Sequence, residues 1–264
     1  MNRYEPNVTV SIVTHNSDKI FLSLDSLIEQ LKDEQQIQLK IFDNASEPAY
    51  QERLKKYLVH PFVSIEFHNE NKGFGFGHNT NLLETTGYGI IFNPDIILSD
   101  NHLREMVNHL AAQPGCGLLA PKILNEDGTM QYLIRNHLDV FDYMLRFIPF
   151  RFIKKIFTKR LEKFECRDLP EDRDSIVRMI SGSFMVVDLA KFQEIQGFDE
   201  RYFMYFEDND LCRKMEQAGY KAIYSPQFSV VHLYERGAVK NRKLFFIFLQ
   251  SMRKYFQKWG WQFF

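Results

Sequence analysis

Hydrophobic residues in the first half of the chain follow two alternating patterns. Short apolar or β-branched runs predict buried strands, and segments with apolar residues three or four positions apart predict helices that bury one face. The predicted strands are Val8–Thr14, Ile37–Phe42, Val63–His68 and Tyr88–Asn93, and the predicted helices are Ile20–Leu31, Tyr50–Leu58, His102–Ala112 and one that begins at Asn79–Glu84. This alternation predicts an α/β fold with a mostly parallel sheet and helices on both faces.

The second half of the chain has shorter apolar segments. An interruption at 137–175 precedes an apolar strand predicted at Phe184–Val187. A helix is predicted at Leu211–Ala218, and short extended pieces at Lys221–Tyr224 and Ser229–Val231. We expect the loops of this half to contribute side chains to a site.

Two segments combine basic and aromatic residues, namely Phe150–Phe164 and the tail from Lys240. Basic amphipathic helices with an aromatic face often lie on anionic membrane surfaces. A solvated helix that packs on the domain has the same pattern, as does one that covers a site or forms a dimer interface. The longest apolar run, Leu244–Leu249, is far too short to cross a bilayer.

Composition narrows the class of protein. The chain has 264 residues, enough for one large domain or two small ones, and its net charge of −1 gives no nucleic-acid signature. Cys116, Cys166 and Cys212 lack the spacing of a metal site, so we expect reduced, packed thiols of a cytosolic protein. The N-terminal segment has no continuous apolar stretch typical of a signal peptide.

Polar residues follow three of the predicted strands, at the sheet edge where parallel α/β folds bind ligands. They are Thr14, His15 and Asn16 after the first strand, Asp43 after the second, and Asn93 and Asp95 after the fourth. The Asp43 carboxylate is suited to accept hydrogen bonds from a ribose or a base N–H, and that of Asp95 to bind Mg²⁺ or Mn²⁺. The alternative is that both residues form turns.

A glycine-rich segment, NKGFGFGHNTN at 71–81, leads into a predicted helix. Glycines let the backbone approach a ligand closely, and a helix N-terminus favours phosphate. The segment is neither the GxGxxG of dinucleotide-binding folds nor a P-loop. A flexible turn is the alternative interpretation.

Carboxylates are concentrated at 203–219, where Glu207, Asp208 and Asp210 lie within four residues and Asp199 is near. Such a concentration indicates a cationic ligand, or a carboxylate that holds a proton during a reaction. The alternative is a helix cap, since acidic residues favour the first turn of a helix. His232, after the last extended piece, is a metal ligand in one interpretation and a packed residue in the other.

These motifs occur in one order: VSIVTHN, IFDNAS, NKGFGFGHNTN, FNPDI, SGSFMVV, GFDERYFMYFEDNDLCRKMEQAG and a late histidine. The ordered set, over about residues 8–235, resembles the bacterial rhamnosyltransferase branch of the family 2 glycosyltransferases, which have the GT-A fold. The resemblance implies a catalytic domain at 1–235, with a nucleotide-sugar half at 1–115 and an acceptor half at 116–235. Residues 236–264 would form a basic aromatic helical tail.

The resemblance also implies roles for individual residues. Asp208 matches the catalytic base, and Asp95 and His232 match metal ligands. Residues that would bind the nucleotide sugar are Thr14, His15, Asn16, Asp43, Asn71, Gly73, Phe74, Gly75, Asn79 and Asn93. Residues that would lie near the acceptor are Ser181, Gly182, Ser183, Glu207 and Asp210. Asn93 stands where the usual metal motif has an aspartate, which leaves one carboxylate in place of two.

The implied reaction is inverting transfer of L-rhamnose from dTDP-β-L-rhamnose to a hydroxyl of a lipid-linked saccharide, as in O-antigen synthesis. Asp208 would accept the hydroxyl proton, and Mn²⁺ or Mg²⁺ would neutralise the diphosphate. Such an acceptor implies a peripheral protein, monomeric or homodimeric, at the cytoplasmic face of the bacterial inner membrane.

Three alternatives remain open from the sequence. The first alternative is a glycosyltransferase of the same fold whose donor is a UDP- or GDP-sugar. The second is a nucleotidyltransferase-like enzyme, against which His15-Asn16-Ser17 argues, because a glycine- and arginine-rich loop is expected there. The third is a non-catalytic nucleotide-sugar-binding module.

Overall fold

The computed structural model describes residues 6–32, 34, 36–136, 138–147, 151–233 and 242–264. The strands are β1 Val8–Thr14, β2 Ile37–Asn44, β3 Val63–His68, β4 Tyr88–Phe92, β5 Ile96–Ile97, β6 Cys116–Leu124, β7 Ser175–Val177, β8 Phe184–Asp188 and β9 Lys221–His232. The helices are α1 Lys19–Leu31, α2 Pro48–Lys55, α3 Phe74–Leu82, α4 Leu103–Ala111, α5 Val140–Phe147, α6 Arg151–Ile156, α7 Thr158–Phe164, α8 Leu189–Glu194, α9 Glu207–Gln217 and α10 Arg242–Trp259. A 3-10 turn at Lys56–Val59 extends α2.

The strands form one sheet in the order β3-β2-β1-β4-β8-β6-β9-β5, with β7 beside β9. Neighbours from β3 to β4 are parallel, as the alternation of strands and helices predicts. β8 then joins antiparallel to both β4 and β6, and β9 runs parallel to β6. The parallel half and the mixed half therefore share one sheet, and the start of β8 lies at the same edge as the end of β4.

Hydrophobic side chains pack on both faces of this sheet. α1, α2 and α4 cover one face, and α3, α8, α9 and α10 cover the other. Neighbouring strand residues alternate between the two cores: Ile90 and Phe92 belong to the first and Ile91 to the second. This alternation follows from the two-residue period of a strand and explains the continuous apolar runs in the sequence.

The glycine-rich segment begins α3, because the helix starts at Phe74. The expected helix start at Asn79 is therefore wrong by about one turn, and the flexible-turn interpretation is wrong as well. A Cβ on Gly77 would lie 2.6 Å from the Val13 side chain, and one on Gly75 would lie 2.9 Å from Cβ of Phe198. These glycines allow α3 to pack directly on β1 and on the loop at 197–203.

The last strand is longer than the sequence indicates. Lys221–Tyr224 and Ser229–Val231 are parts of one strand, β9. Its pairing with β6 shifts between Pro121, which lies opposite Ser225, and Lys122, which lies opposite Ser229. Pro226 lies between the two predicted pieces, and the irregular register accommodates this proline within the strand.

The basic aromatic segments are mainly helical where they are described, but the predicted helical tail ends at Trp259 and residues 260–264 are not in a helix. The first contains α6 and α7, and Phe150 lies outside the described residues, as does the start of the tail at Lys240. α10 buries Phe248, Met252, Tyr255 and Phe256 in the second core, as the packing interpretation predicts. In the part of the chain that the structure describes, no helix is long and apolar enough to span a bilayer.

The cysteines agree with the sequence-based expectation. Cys116, Cys166 and Cys212 are buried and form no disulfide. Burial raises the pKa of Cys212 to about 12, so its thiol is protonated at neutral pH.

Candidate active site

A cavity of about 270 Å³ opens at the sheet edge where β4 and β9 end and β8 begins. Its walls come from segments far apart in the sequence. They include Phe74, Asn93, Leu133, Arg135, Tyr143, Ser181, Gly182, Ser183, Tyr205, Phe206, Glu207, Asp208, His232 and Phe248. Nine of the sequence-predicted site residues thus line or border one space: Phe74, Asn93, Ser181, Gly182, Ser183, Glu207, Asp208 and His232 in the wall, and Asp95 against His232.

Asp208 lies in the first turn of α9, and backbone and amide donors fix its carboxylate. Gly182 N donates to Oδ2 at 3.0 Å, while the backbone and side-chain nitrogens of Asn209 donate to Oδ1 at 2.8 and 2.9 Å. Burial raises the pKa of Asp208 above its ordinary value, and these hydrogen bonds and the charge of Arg135 oppose the shift. The side chain is half-buried, so a cavity ligand can reach a held, moderately basic carboxylate.

The turn before α9 has an unusual backbone. Tyr205 and Phe206 both have positive φ, at 71° and 69°, a left-handed conformation that costs energy for aromatic residues. The Phe206 ring packs against Tyr143 and Phe248, with centroids 4.8 and 5.2 Å away. Packing therefore holds this turn, which brings Glu207 and Asp208 into the cavity wall.

Glu207 is buried and its carboxylate is poorly solvated. Its Oε2 has no hydrogen-bond partner among the described residues. Burial raises the pKa of Glu207 well above its ordinary value, and the negative charge of Asp208 adds to this. Two neighbouring carboxylates cannot easily both ionise, so we assign the proton to Glu207 and the negative charge to Asp208.

Asp210 lies on the other side of the same helical turn. It is fully buried and accepts hydrogen bonds from Tyr202, Lys258 and Trp259, the last two at 2.7 and 2.8 Å. It does not line the cavity. The expectation that Asp210 binds the acceptor is therefore replaced by a structural role, because both of its oxygens attach α9 to α10.

Asp95 and His232, the predicted metal ligands, are brought together by the pairing of β5 with β9. Asp95 Oδ1 lies 3.1 Å from His232 Nε2, and neither Asp95 Oδ1 nor the buried Asn93 Oδ1 has a hydrogen-bond partner among the described residues. Carboxylate and amide oxygens with one imidazole are a donor set that suits Mn²⁺ or Mg²⁺. The residues present therefore fit a divalent cation.

The described chain offers few protein ligands to such an ion. In it, no group of three or more His, Cys, Asp and Glu side chains converges. Mg²⁺-type sites commonly have one or two carboxylates and complete their coordination with water and substrate phosphates. The single carboxylate of Asp95 is compatible with that arrangement.

The predicted nucleoside side of the site lies at the ends of β1 and β2, where Thr14 is opposite Asp43. Asp43 is fully buried; its Oδ2 accepts from Ser46 N and Gln51 Nε2, and its Oδ1 has no hydrogen-bond partner among the described residues. Burying a carboxylate oxygen without a hydrogen bond costs free energy. This favours the interpretation that a ligand donates a hydrogen bond to Asp43 over the interpretation of a simple turn.

Internal contacts hold the residues around Asp43. The Thr14 hydroxyl hydrogen-bonds to Tyr50, His15 Nδ1 contacts Asn44 O at 2.9 Å, and Asn16 N donates to Ser46 Oγ at 2.9 Å. Burial raises the pKa of Tyr50 to about 12, so the phenol stays protonated. Thr14, His15 and Asn16 therefore shape this end of the sheet through their own hydrogen bonds.

The glycine-rich loop connects this side of the sheet to the acidic turn. Asn71 Oδ1 accepts from Gly73 N, and Phe74 N donates to Phe203 O at 3.0 Å. Gly73 has φ 95°, and a Cβ there would lie 2.1 Å from Phe203 O. Only glycine permits this approach, which places the Phe74 ring in the cavity wall.

Asn79 makes internal contacts instead of facing the cavity. Its amide nitrogen donates to Phe198 O and to Glu200, and its oxygen accepts from Phe198 N at 2.8 Å. Gly75 is likewise buried under Phe198. For these two residues the contacts indicate a structural role in fixing the loop at 197–203, which differs from the predicted role in nucleotide binding.

The segment 181–183 comes directly before β8 and lies beside the end of β4. Ser183 O accepts from Asn93 N at 2.9 Å, and the two serine hydroxyls lie 3.1 Å apart. A Cβ on Gly182 would lie 3.2 Å from Cβ of Asp208. The serines therefore border the carboxylate that Gly182 holds.

A family model described as Glycosyl transferase family 2 matches residues 9–169, more than half of the chain. The chain belongs to this family. It is therefore a glycosyltransferase, and the nucleotidyltransferase-like and non-catalytic alternatives for its class lose their support.

Two curated relatives of this glycosyltransferase are rhamnosyltransferases. Rhamnosyltransferase WbbL of Escherichia coli (strain K12) is 24% identical over 237 residues, which cover 85% of this chain and 83% of WbbL. An N-acetylglucosaminyl-diphospho-decaprenol L-rhamnosyltransferase of Mycobacterium tuberculosis (strain CDC 1551 / Oshkosh) is 31% identical over 152 residues, which cover 54% of this chain and 46% of that protein. The second match thus spans about half of each protein.

Solved structures confirm the GT-A fold. The mannosyltransferase PcManGT from Pyrobaculum calidifontis, in complex with GDP-Man and Mn²⁺, has a TM-score of 0.61 at 19% identity and covers 95% of this chain and 65% of its own. GalNAc-T7 with UDP, GalNAc and Mn²⁺ has a TM-score of 0.66 at 14% identity and covers 96% of this chain and 48% of its own.

Several cavity residues of this glycosyltransferase were not predicted from its sequence. Arg135 is buried, donates to Tyr132 O and Ile134 O, and lies 4.9 Å above the Phe164 ring. Tyr143 and Phe248 form an aromatic wall, and Gln131, which does not line the cavity, contacts His232. Arg135 lies in the irregular segment before α5, where the sequence has no periodic pattern or motif. Only the tertiary structure therefore shows that Arg135 lines the cavity.

Proposed function

We propose that this glycosyltransferase transfers L-rhamnose from dTDP-β-L-rhamnose to a hydroxyl of a lipid-linked saccharide, with inversion at the anomeric carbon. The names of two relatives support the sugar, and that of the mycobacterial protein supports a polyprenyl diphosphate acceptor. The observation that carries the reaction type is the Asp208 carboxylate, fixed by Gly182 and Asn209 in the wall of an open cavity. A surface polysaccharide such as O-antigen is the product that we infer.

Asp208 acts as the general base in this proposal. An acceptor hydroxyl is a weak nucleophile at neutral pH, and a carboxylate within hydrogen-bond reach takes its proton as the new glycosidic bond forms. The bond between the anomeric carbon and the diphosphate oxygen breaks on the opposite face, which gives inversion. The neutral Glu207 beside it keeps the negative charge on Asp208.

Asp43 binds the donor through its unpaired Oδ1, which accepts a hydrogen bond from the base or ribose of the nucleotide. The proposed binding site for the sugar donor extends from this end of the sheet to the cavity along Asn71, Gly73 and Phe74. Among the described residues no single side chain specifies the base or the sugar, and a UDP- or GDP-sugar donor is the alternative.

Asp95 and His232, with Asn93, hold a divalent cation in this proposal. When bound, Mn²⁺ or Mg²⁺ neutralises charge on the diphosphate leaving group. Asp95 Oδ1 and Asn93 Oδ1, which accept no hydrogen bond from the described residues, support this role, and both solved neighbours contain Mn²⁺.

The acceptor side of the cavity continues onto helices with exposed apolar residues. α5 and α10 contribute Tyr143 and Phe248 to the wall. The same helices and α6 carry the exposed side chains Met144, Phe246, Phe152 and Ile156. Exposed lysines lie beside them, Lys155 and Lys159. A surface of this kind suits an anionic bilayer, so we propose peripheral attachment at the cytoplasmic face of the bacterial inner membrane.

Thermal-shift measurements with nucleotide sugars, with and without Mn²⁺, test the donor. We expect dTDP-L-rhamnose to raise the melting temperature selectively, and Mn²⁺ to increase that shift. A larger shift with UDP-sugars would overturn the rhamnosyl assignment. Transfer to N-acetylglucosamine linked through a diphosphate to a polyprenol then tests the acceptor class.

A further inference from the structure

Gln131 is a buried residue whose orientation is fixed by acceptors on three sides. Its amide nitrogen donates to His232 O at 2.8 Å, to Asn125 Oδ1 at 2.8 Å and to Leu124 O at 3.4 Å. Because backbone carbonyl oxygens only accept hydrogen bonds, the amide nitrogen must face them. The amide oxygen of Gln131 is therefore the atom that lies 3.0 Å from His232 Nδ1.

A short chain of hydrogen bonds sets the same orientation from the other end. Asp127 Oδ1 accepts from the Thr129 hydroxyl at 2.6 Å, and Thr129 in turn accepts from Asn125 Nδ2 at 2.8 Å. An ionised carboxylate accepts only, so the direction of each bond follows. Asn125 Oδ1 thus faces Gln131 as an acceptor, and the Gln131 amide nitrogen donates to it.

The orientation of Gln131 determines where His232 carries its proton. An amide oxygen cannot donate, so Nδ1 of His232 must bear the hydrogen of this contact. In a neutral imidazole the other nitrogen, Nε2, then carries the lone pair. That nitrogen lies 3.1 Å from Asp95 Oδ1. His232 Nε2 and Asp95 Oδ1 are then two electron-rich atoms close together, an arrangement that favours a cation bound to both.

We propose that Gln131 is a positioning residue: it holds His232 in the Nδ1–H tautomer, so that Nε2 and Asp95 bind one divalent cation together. This inference rests on the metal site of the proposed function. Histidine ligands commonly donate their second N–H to a fixed oxygen, which sets ring orientation and increases ligand basicity. Here an amide oxygen that belongs to a fully hydrogen-bonded side chain supplies that contact.

The test combines a spectroscopic measurement on metal-free protein with Mn²⁺ binding. Nitrogen-15 chemical shifts of the His232 ring, assigned with His232→Asn, report the tautomer. Mn²⁺ titration followed by electron paramagnetic resonance reports affinity. Gln131→Leu removes the accepting oxygen at similar volume. Gln131→Glu keeps an accepting oxygen for Nδ1–H but loses the N–H donors to Asn125 and to His232 O. Asp95→Asn is the control that weakens the metal site without touching Gln131.

We expect the Nδ1–H tautomer in the wild type, Gln131→Glu and Asp95→Asn, and its loss in Gln131→Leu. Mn²⁺ affinity should fall about 10- to 100-fold in Gln131→Leu. A wild-type His232 with its hydrogen on Nε2 would overturn this inference alone, as would unchanged Mn²⁺ affinity in folded Gln131→Leu. If the wild type binds no Mn²⁺, the metal site of the proposed function fails and the inference fails with it. If Gln131→Leu does not fold, the wild-type tautomer and Gln131→Glu still decide.

Discussion

The backbone nitrogen of Gly182 donates a hydrogen bond to Oδ2 of Asp208 at 3.0 Å. The two residues lie on different elements, just before β8 and at the start of α9. The bond makes the position of the carboxylate depend on the sheet edge as well as on its own helix. Asp208 thus has a fixed place in the cavity, as the proposed base requires.

Gly182→Ala should lower the turnover number about tenfold with little change in donor affinity. The added Cβ would lie 3.2 Å from Cβ of Asp208 and 3.4 Å from the Phe74 ring, so the base must move by a few tenths of an ångström. Steady-state kinetics check this. Gly115→Ala is the matched control, since a Cβ there meets nothing within 4 Å. Equal turnover in both variants would show that the spacing does not matter.

Lys258→Met should destabilise the fold because α10 is attached to α9 through Asp210. Lys258 Nζ lies 2.7 Å from Asp210 Oδ1 and 2.8 Å from Asp199 Oδ2. Its loss leaves a fully buried carboxylate without its cation, and we expect the free energy of unfolding to fall by about 1.5–3 kcal/mol. Urea denaturation measures the change. Arg253→Met removes an exposed charge from the same helix and should have almost no effect.

The sequence predicted the parallel half of the fold well because local patterns determine it. β1 lies between two neighbours and is buried along its length, so its residues are mostly β-branched, with no charged side chain. The start of α3 was missed, since glycines suggest a turn, whereas here they allow close packing on Val13 and Phe198. The two pieces predicted at Lys221–Tyr224 and Ser229–Val231 form one strand, because pairing with β6 continues on both sides of the register shift.

For the site, the sequence predicted groups that share a motif, and it gave no signal for the cavity residues that only the fold brings together. Asp208, Asp95 and His232 were predicted, and the structure places them around one cavity. Asp210 has the same chemistry and lies two residues from Asp208, yet it faces α10. Only helix geometry separates the two, because residues two apart lie on different sides of a helix.

Binding to anionic liposomes should depend on α6. Phe152 and Ile156 are 65% and 73% exposed, and Lys155 lies between them. Replacing both apolar residues by serine should weaken binding in a sedimentation assay about tenfold or more, because apolar surface drives interfacial attachment. Val59→Ser, at a 77% exposed site elsewhere, is the control.

A different outcome is that the double variant binds liposomes as the wild type does, but is a monomer where the wild type is a dimer. That result would assign the α6 surface to a dimer interface instead. Removal of the whole tail is a poor test of membrane binding, because α10 buries Tyr255 and Phe256 in the core. Its deletion would expose that core as well as remove basic residues.

His78 should make stability depend on acid pH. Burial lowers the pKa of His78 from 6.5 to about 3, so the folded protein keeps this ring neutral. The unfolded chain binds a proton below the ordinary pKa and the folded chain does not. The contribution is therefore fully present above about pH 6.5 and is lost by up to about 1.4 kcal/mol per pH unit as the pH falls towards 3.

Urea denaturation at several pH values between about 4 and 7 gives the slope of the free energy of unfolding against pH. This slope should be smaller for His78→Gln than for the wild type. His60→Gln, at a partly exposed position, is the control and should keep the wild-type slope. Identical slopes for the two variants would mean that His78 is protonated in the folded protein.

Asp208→Asn is the decisive test of Asp208 as the general base. The amide keeps the shape of the side chain but cannot accept the proton, so we expect transfer from dTDP-L-rhamnose to a polyprenyl diphosphate N-acetylglucosamine acceptor to fall by about 10²- to 10⁴-fold. Donor affinity, measured by calorimetry on the same sample, should stay within about threefold, since in the proposed function Asp208 acts on the acceptor and not on the nucleotide. The exposed Asp172→Asn is the matched control. Transfer by Asp208→Asn at the rate of that control would show that Asp208 is not the base.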